Sequence, residues 1–380
     1  MSVTEVKMQV AATPLAEADR IMQICNACRY CEGFCAVFPA MARRLTFTEA
    51  DLNYLANLCH NCGACYYACQ YAPPHEFMVN VPKTFGELRR ETYKKYAWPS
   101  AFGALYERNA LAAALITAAS LSAFLIGVFW MLSPDVLWGT HTGPGSFYKI
   151  IAHNTMVAIF GAAALYVLAA FVIGFRRFWS EMGEQMGDFI APASFGQAVW
   201  DVLTLKYLDG GAEGCPYPDE KPSYTRKTFH HFTFYGFMLC FAATCVGTFK
   251  HYLLAWQAPY SIGSLTVILG TLGGIGLLIG PAGLLWLKHR SDKALTAKSN
   301  RGMDVGFLVL LFLTSLTGFL LLFLRATPLM GVMLAIHLGV VLGLFLTLPY
   351  GKFVHAVYRF AALVRFALER SRPNTNASFD

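Results

Sequence analysis

The chain has 380 residues, of which 56% are hydrophobic and 14% charged, and its net charge is +7. Charged residues make up about a quarter of an ordinary soluble domain, so this composition excludes a protein that is soluble throughout and requires most of the chain to face lipid. The basic excess lies beside apolar segments and carries no nucleic-acid motif, which makes it a set of topology signals and not a nucleic-acid surface.

Residues 1–20 lack an apolar core of signal-peptide length and contain Glu5, Glu17 and Asp19, so no secretory leader is expected there. Eight of the eleven cysteines fall within residues 1–109. Thiols stay reduced in the cytoplasm, where such spacing points to metal ligation over disulfides. Cys25, Cys28, Cys31 and Cys35 follow C-x2-C-x2-C-x3-C, and Cys59, Cys62, Cys65 and Cys69 repeat it. Three cysteines at two-residue intervals wrap three corners of a four-iron four-sulfur cubane, and in two-cluster ferredoxins the fourth reaches across to the other cluster. The expected ligand sets are therefore Cys25, Cys28, Cys31 and Cys69 for cluster one, and Cys59, Cys62, Cys65 and Cys35 for cluster two. A zinc module is the alternative, but it normally uses two separated ligand pairs. Ala36 and Gln70 stand where proline usually follows the fourth cysteine, with Pro39 and Pro73 a little later. Between the runs, Thr46 and Glu49 have the spacing of a helix capping box, and Leu52, Leu55 and Leu58 form an apolar helical stripe.

Six apolar stretches then reach the roughly 20 residues that a helix needs to cross a bilayer. They cover 110–132, 150–175, 232–256, 262–287, 305–324 and 326–351. Their flanks alternate in charge. Lys83, Arg89, Arg90, Lys94, Lys95 and Arg108 precede the first, Arg176 to Lys227 fill the connection after the second, and Lys288 to Arg301 follow the fourth, whereas Lys149 and Lys250 are isolated at the other side. The positive-inside rule puts both termini in the cytoplasm and the chain in the inner membrane. The expected architecture is mainly α: a small ferredoxin-like two-cluster domain over 1–82, a basic juxtamembrane helix over 83–109, a six-span membrane domain over 110–358 with a cytoplasmic loop at 176–229, and a cytoplasmic tail over 359–380. Gly270, Gly274, Gly276 and Gly280 form two small-xxx-small pairs for helix packing. Cys240 and Cys245 are expected to be small buried apolar residues. The loop sequence GGAEGCPYPDEKPS contains Cys215, which stays outside the ligand set. The polar stretch 371–380 is expected to be disordered.

Histidine inside a span is costly and usually has a task. His230 and His231 begin the third span and His251 lies near its outer end, while His337 begins the sixth span and His355 lies just past its inner end. On one continuous helix the 18-residue step from His337 to His355 spans about 27 Å and returns to the same face. The step from His230 to His251 spans about 32 Å and turns about 60°, against about 160° between His231 and His251, which favours His230 without excluding His231. An outer pair, His251 with His337, and an inner pair, His230 or His231 with His355, are therefore expected to clamp one or two b-type haems. His153, beside Asn154, is a reserve ligand or a polar packing contact.

The two cysteine runs, GGAEGCPYPDEKPS, HHFTFYGF from His230, GTLGGIGLLIGPAGLLWLK from Gly270 and LPYGKFVHAVYRF ending at Phe360 together resemble the tricarballylate utilization protein B family, also described as CitB-type. The membrane part is more distantly similar to the gamma subunit of respiratory nitrate reductase, a haem b protein. The resemblance implies an FAD-dependent tricarballylate dehydrogenase as partner, whose reduced flavin this chain reoxidises, and membrane quinone as acceptor. No Rossmann glycine fingerprint appears in the chain, which agrees with a donor bound elsewhere. No acid–base pair or nucleophile for bond-making stands at recognisable spacing either, so any enzymatic role is that of an electron-transfer subunit. The alternatives are the reverse flow, with quinol oxidised to feed a cytoplasmic reductase, and a redox-sensing membrane protein.

Overall fold

The computed structural model describes residues 13–373, so the first twelve residues of the leader expectation and residues 374–380 of the stretch expected to be disordered fall outside the described residues, while Ser371 at the start of that stretch ends a helix. The protein is mostly helical, with an amino-terminal cluster domain seated on one end of a six-helix bundle.

In the cluster domain, helix Pro14–Cys28 starts at Thr13, whose hydroxyl accepts from the Ala16 N–H, and has proline in its first turn, where no donor is lost. It ends at Arg29 in the left-handed region, which turns the chain into the first cysteine loop. The next long helix, Glu49–Leu58, has a reciprocal capping box, but two residues later than the spacing of Thr46 and Glu49 suggested. Thr48 accepts from the Asp51 N–H at 3.2 Å, and Asp51 accepts from the Thr48 N–H at 3.2 Å. The run TFTEAD offers both registers. Arg44, 2.6 Å from the Asp51 carboxylate, secures the later one. Leu52, Leu55 and Leu58 are buried as the stripe required, in one core with Ile21, Met22 and Phe38.

Helix Val81–Tyr96, within the expected juxtamembrane segment, also feeds that core through Phe85, Leu88 and Tyr93, leaving Lys83 and Lys95 exposed. The expected tail over 359–380 needs correction. Its described part lies in helix Val354–Ser371, where Ala361, Ala362 and Val364 are fully buried. Arg44 pairs with Glu369, and the Tyr54 hydroxyl donates to Glu369 at 2.9 Å. Within the closing helix itself, Arg365 meets Asp51 and Arg359 donates to Asn57 O and Cys59 O, so its basic residues bind it to the cluster domain.

The six spans are Asn109–Met131, His153–Glu181, Thr225–Leu254, Leu265–Arg290, Arg301–Leu324 and Met330–Tyr350, in agreement with the six apolar stretches. The third and fourth spans lie backbone to backbone. A Cβ at Gly276 would stand 2.8 Å from the Phe232 carbonyl oxygen, and one at Gly273 would stand 2.8 Å from the Cys240 nitrogen. Gly274 instead admits Phe319 of the fifth span, while Gly270 meets only Ala243 at 3.8 Å. The sixth span is fitted in the same way to the first, where a Cβ at Gly339 would stand 2.6 Å from the Leu121 Cα.

The sixth span breaks at Pro349. The helix gives way to a tight turn over Leu348–Tyr350, Gly351 is extended, and a separate helix begins at Val354. The carbonyls released by the break are not orphaned, because the Tyr106 hydroxyl donates to Pro349 O at 2.8 Å and the Asn109 amide donates to Tyr350 O. His337 and His355 therefore belong to different helices, and the phase calculation that joined them does not hold.

Candidate functional site

The two cysteine runs fold into adjacent loops. The first is closed by a hydrogen bond from the Phe34 N–H to Cys31 O at 3.0 Å. The second turns at Asn61 and Gly63, both at positive φ. A Cβ at Gly63 would meet Leu295 at 3.0 Å and Pro216 O at 3.1 Å, so this position takes glycine for both conformation and space. A cavity of ≈ 300 Å³ is lined by Cys25, Cys28, Cys31 and Cys69, with Cys65 at its wall. A second, tighter space is lined by Cys35, Cys59, Cys62 and Cys65. The fourth cysteine of each run thus turns towards the other run's triplet. Among the described residues no three His, Cys, Asp or Glu side chains converge as ligands of one ion do. The sulfurs instead surround two spaces, as ligands of separate multi-iron units would.

Burial and mutual crowding oppose ionisation of Cys31, Cys35 and Cys65. Burial, then Cys69 and Cys28, push Cys31 up to about 12, and burial followed by Cys62 and Cys59 holds both Cys35 and Cys65 well above the ordinary thiol range. A cationic iron core would supply the compensation that eight neighbouring thiolates require, so the donor set fits two clusters.

Cys215, outside the expected ligand set, is buried against Cys62. The hydrogen bond from Cys62 comes first among the causes that lower the Cys215 thiol, with Arg226 adding to it, whereas the same bond, followed by burial, raises Cys62. The loop reaches this place through a short antiparallel pairing of Cys215–Pro216 with Pro222–Ser223. A cysteine–proline pair in a long loop was the only signal.

At the cluster end of the bundle, a cavity of ≈ 240 Å³ is lined by His230, His355, His60 and Arg359, together with Phe237 and Phe353. The His230 and His355 rings are 6.3 Å apart, centre to centre, and nearly perpendicular at 85°. A metal–imidazole bond of about 2.0–2.1 Å, plus ~1.1 Å to each ring centre, gives about 6 Å across one metal ion. His355 Nδ1 lies 2.5 Å from Lys352 O, which assigns the proton to Nδ1 and leaves Nε2 with its lone pair, the tautomer of a metal-ligating histidine. Burial, then Arg359 and Lys352, keep His355 neutral. His231 packs beside Tyr235 and does not line the cavity, which His230 does. His60, which was not singled out, sits within Cys59–Cys62 and is anchored by Nδ1 to Leu58 O at 3.1 Å.

The far end differs from expectation. His251 stacks on His153 with ring centres 3.7 Å apart, which leaves no room for an iron between them, and Tyr148 and Tyr252 bond to this pair at 3.4 and 3.3 Å. His337 lies under Gly318 with Nδ1 3.0 Å from the Thr317 hydroxyl. The expected clamp of His251 with His337 is not assembled. His251 packs on His153 and Tyr148, and His337 on Thr317 and Gly318.

The fold and the paired thiol sets define a multi-pass helical membrane protein with an amino-terminal ferredoxin-type iron–sulfur domain. The family model described as the Citrate utilization protein B Fer4-like domain matches residues 18–95, and the Citrate utilization protein B model matches residues 105–376. The chain is 52% identical over 372 residues to Citrate utilization protein B of Escherichia coli, an alignment that takes in 97% of this chain and 96% of that protein. It belongs to the citrate utilization protein B family. No solved structure matches it.

Proposed function

We propose that this protein is the membrane electron-transfer subunit for a reduced flavoprotein dehydrogenase, carrying electrons through two 4Fe–4S clusters and haem b to membrane quinone. The observation that carries this reading is a shared wall: His60, inside the second cysteine loop, lines the same cavity as His230 and His355. Cluster one would be held by Cys25, Cys28, Cys31 and Cys69, and cluster two by Cys35, Cys59, Cys62 and Cys65. The clusters and haem would supply single-electron steps between a two-electron flavin and a two-electron quinone. The chain itself supplies spacing, ligands and water exclusion. His230 and His355 would ligate an inner haem, with His355 oriented by Lys352 O.

The end of the bundle carrying the cluster domain is assigned to the cytoplasm by the basic flanks, and the membrane to the inner membrane. By resemblance the partner oxidises tricarballylate, and the name of the Escherichia coli relative, which refers to citrate utilization, agrees with a tricarboxylate on the partner's side. Anaerobic mixing with the reduced flavoprotein tests the proposal. Cluster absorbance is expected to bleach and reduced haem bands to rise within the mixing experiment, and a short-chain quinone is expected to reverse both. Cofactors that stay oxidised beside reduced flavoprotein would overturn it.

A further inference from the structure

Three arginines from three separate helices converge on one short stretch of backbone. Arg89 Nη1 donates to Ala56 O and Cys59 O, both at 2.8 Å. Arg226 donates to Asn61 O at 2.5 Å and to His60 O at 3.1 Å, with its guanidinium 4.7 Å from the Tyr217 ring centre. Arg359 donates to Cys59 O at 2.7 Å and to Asn57 O at 3.3 Å. All three line the histidine cavity. Elsewhere at this end, arginines meet carboxylates, as Arg44 and Arg365 do with Asp51 and Glu369. Among the described residues, no carboxylate lies within ion-pair distance of Arg89, Arg226 or Arg359, and the same cavity adds Lys288 and Lys352 against the single carboxylate of Asp304. The cavity lined by the first cysteine set contrasts with this, because its wall includes no charged side chain.

Buried cations without counter-charge are costly and are stabilised by any negative charge placed beside them. An electron added to a cluster is such a charge, and in a low-dielectric interior its attraction to a nearby guanidinium is strong. Backbone donors and nearby charge are also what set cluster potentials in general. We infer that Arg89, Arg226 and Arg359 make the cluster of Cys35, Cys59, Cys62 and Cys65 the more easily reduced of the two, so that an electron entering the domain settles beside the histidine cavity. The arginines are positioning residues. They touch the loop carbonyls, and the donor that gives up the electron is the reduced flavoprotein or, in a titration, dithionite. The asymmetry gives the chain an inward direction of flow, and it rests on the ligand sets proposed above.

A potentiometric titration of the full-length protein, followed by electron paramagnetic resonance, tests it. Two separate reduction steps are expected, and Cys35→Ala should abolish the step at higher potential. Arg359→Gln and Arg226→Gln keep hydrogen-bonding capacity but remove charge; each should shift the higher step to lower potential and leave the lower step in place. Arg359→Lys, which keeps the charge, should stay close to the unmodified protein. Loss of the lower step in Cys35→Ala, an unmoved higher step in both glutamine variants, or an equal shift in the lysine variant would overturn the inference. If the glutamine variants fail to assemble, the step removed by Cys35→Ala still decides it. A protein lacking any second cluster signal would instead refute the ligand sets.

Discussion

Replacing Cys35 with alanine is expected to remove half of the protein's cluster iron and acid-labile sulfide while leaving the cluster of Cys25, Cys28, Cys31 and Cys69 spectroscopically intact. Chain proximity alone would predict the opposite, since Cys35 follows Cys31 by four residues and is separated from Cys59 by 24. The fold reverses that order. Helix Val37–Met41 starts immediately after Cys35, and the residue lines the space shared with Cys59, Cys62 and Cys65. Cys69 makes the reciprocal crossing into the first cavity. Cys69→Ala should then destroy the other cluster, and the two variants should differ in which resonance signal is lost. If Cys35→Ala lost the signal that Cys25→Ala also loses, the ligands are not exchanged.

The second large effect concerns the inner histidines. His355→Ala and His230→Ala should each abolish the low-spin haem b absorption of the inner site, whereas His231→Ala, at the adjacent position, should retain it. The argument is geometric: His230 and His355 face one another at 6.3 Å between ring centres, and His231 lies off the cavity. The tautomer supports it, because a neutral His355 with its Nδ1 proton on a backbone carbonyl presents Nε2 at no cost in proton release. Haem content counted by extraction, set beside membrane-inserted protein counted by immunoblot, separates loss of haem from loss of the protein. Retention of the full haem spectrum in His355→Ala would remove the inner clamp from the account.

What could be foreseen from the chain follows from the range of the forces involved. The cysteine loops and six spans are local features, written in short spacing and in runs of apolar residues, and both appear in the fold where the pattern placed them. The approach of His230 to His355 was also foreseeable, though for a reason that failed. The helical phase from His337 to His355 runs across Pro349, and His355 comes to His230 through a new helix after the break. The outer pair depended on two spans becoming neighbours. That is set by where glycines let backbones approach, and a single helix's pattern does not reveal its partner. The burial of Val354–Ser371 was missed because Arg359 and Arg365 look like solvent-facing charges until Asn57, Cys59 and Asp51 are known to lie opposite. Cys215 and His60 carry no spacing signal, and only the folded chain brings Cys215 to Cys62 and His60 to the histidine cavity.

The central claim is that this chain joins two iron–sulfur clusters to a haem at one end of a membrane bundle. Absorption and electron paramagnetic resonance spectra of the anaerobically purified full-length protein test it most directly, with iron, acid-labile sulfide, zinc and haem counted in the same sample. About eight non-haem irons and about eight sulfides per chain are predicted from two cubanes, together with bis-histidine haem b and no stoichiometric zinc. Zinc in place of iron, or full clusters without any haem absorption, would contradict the account.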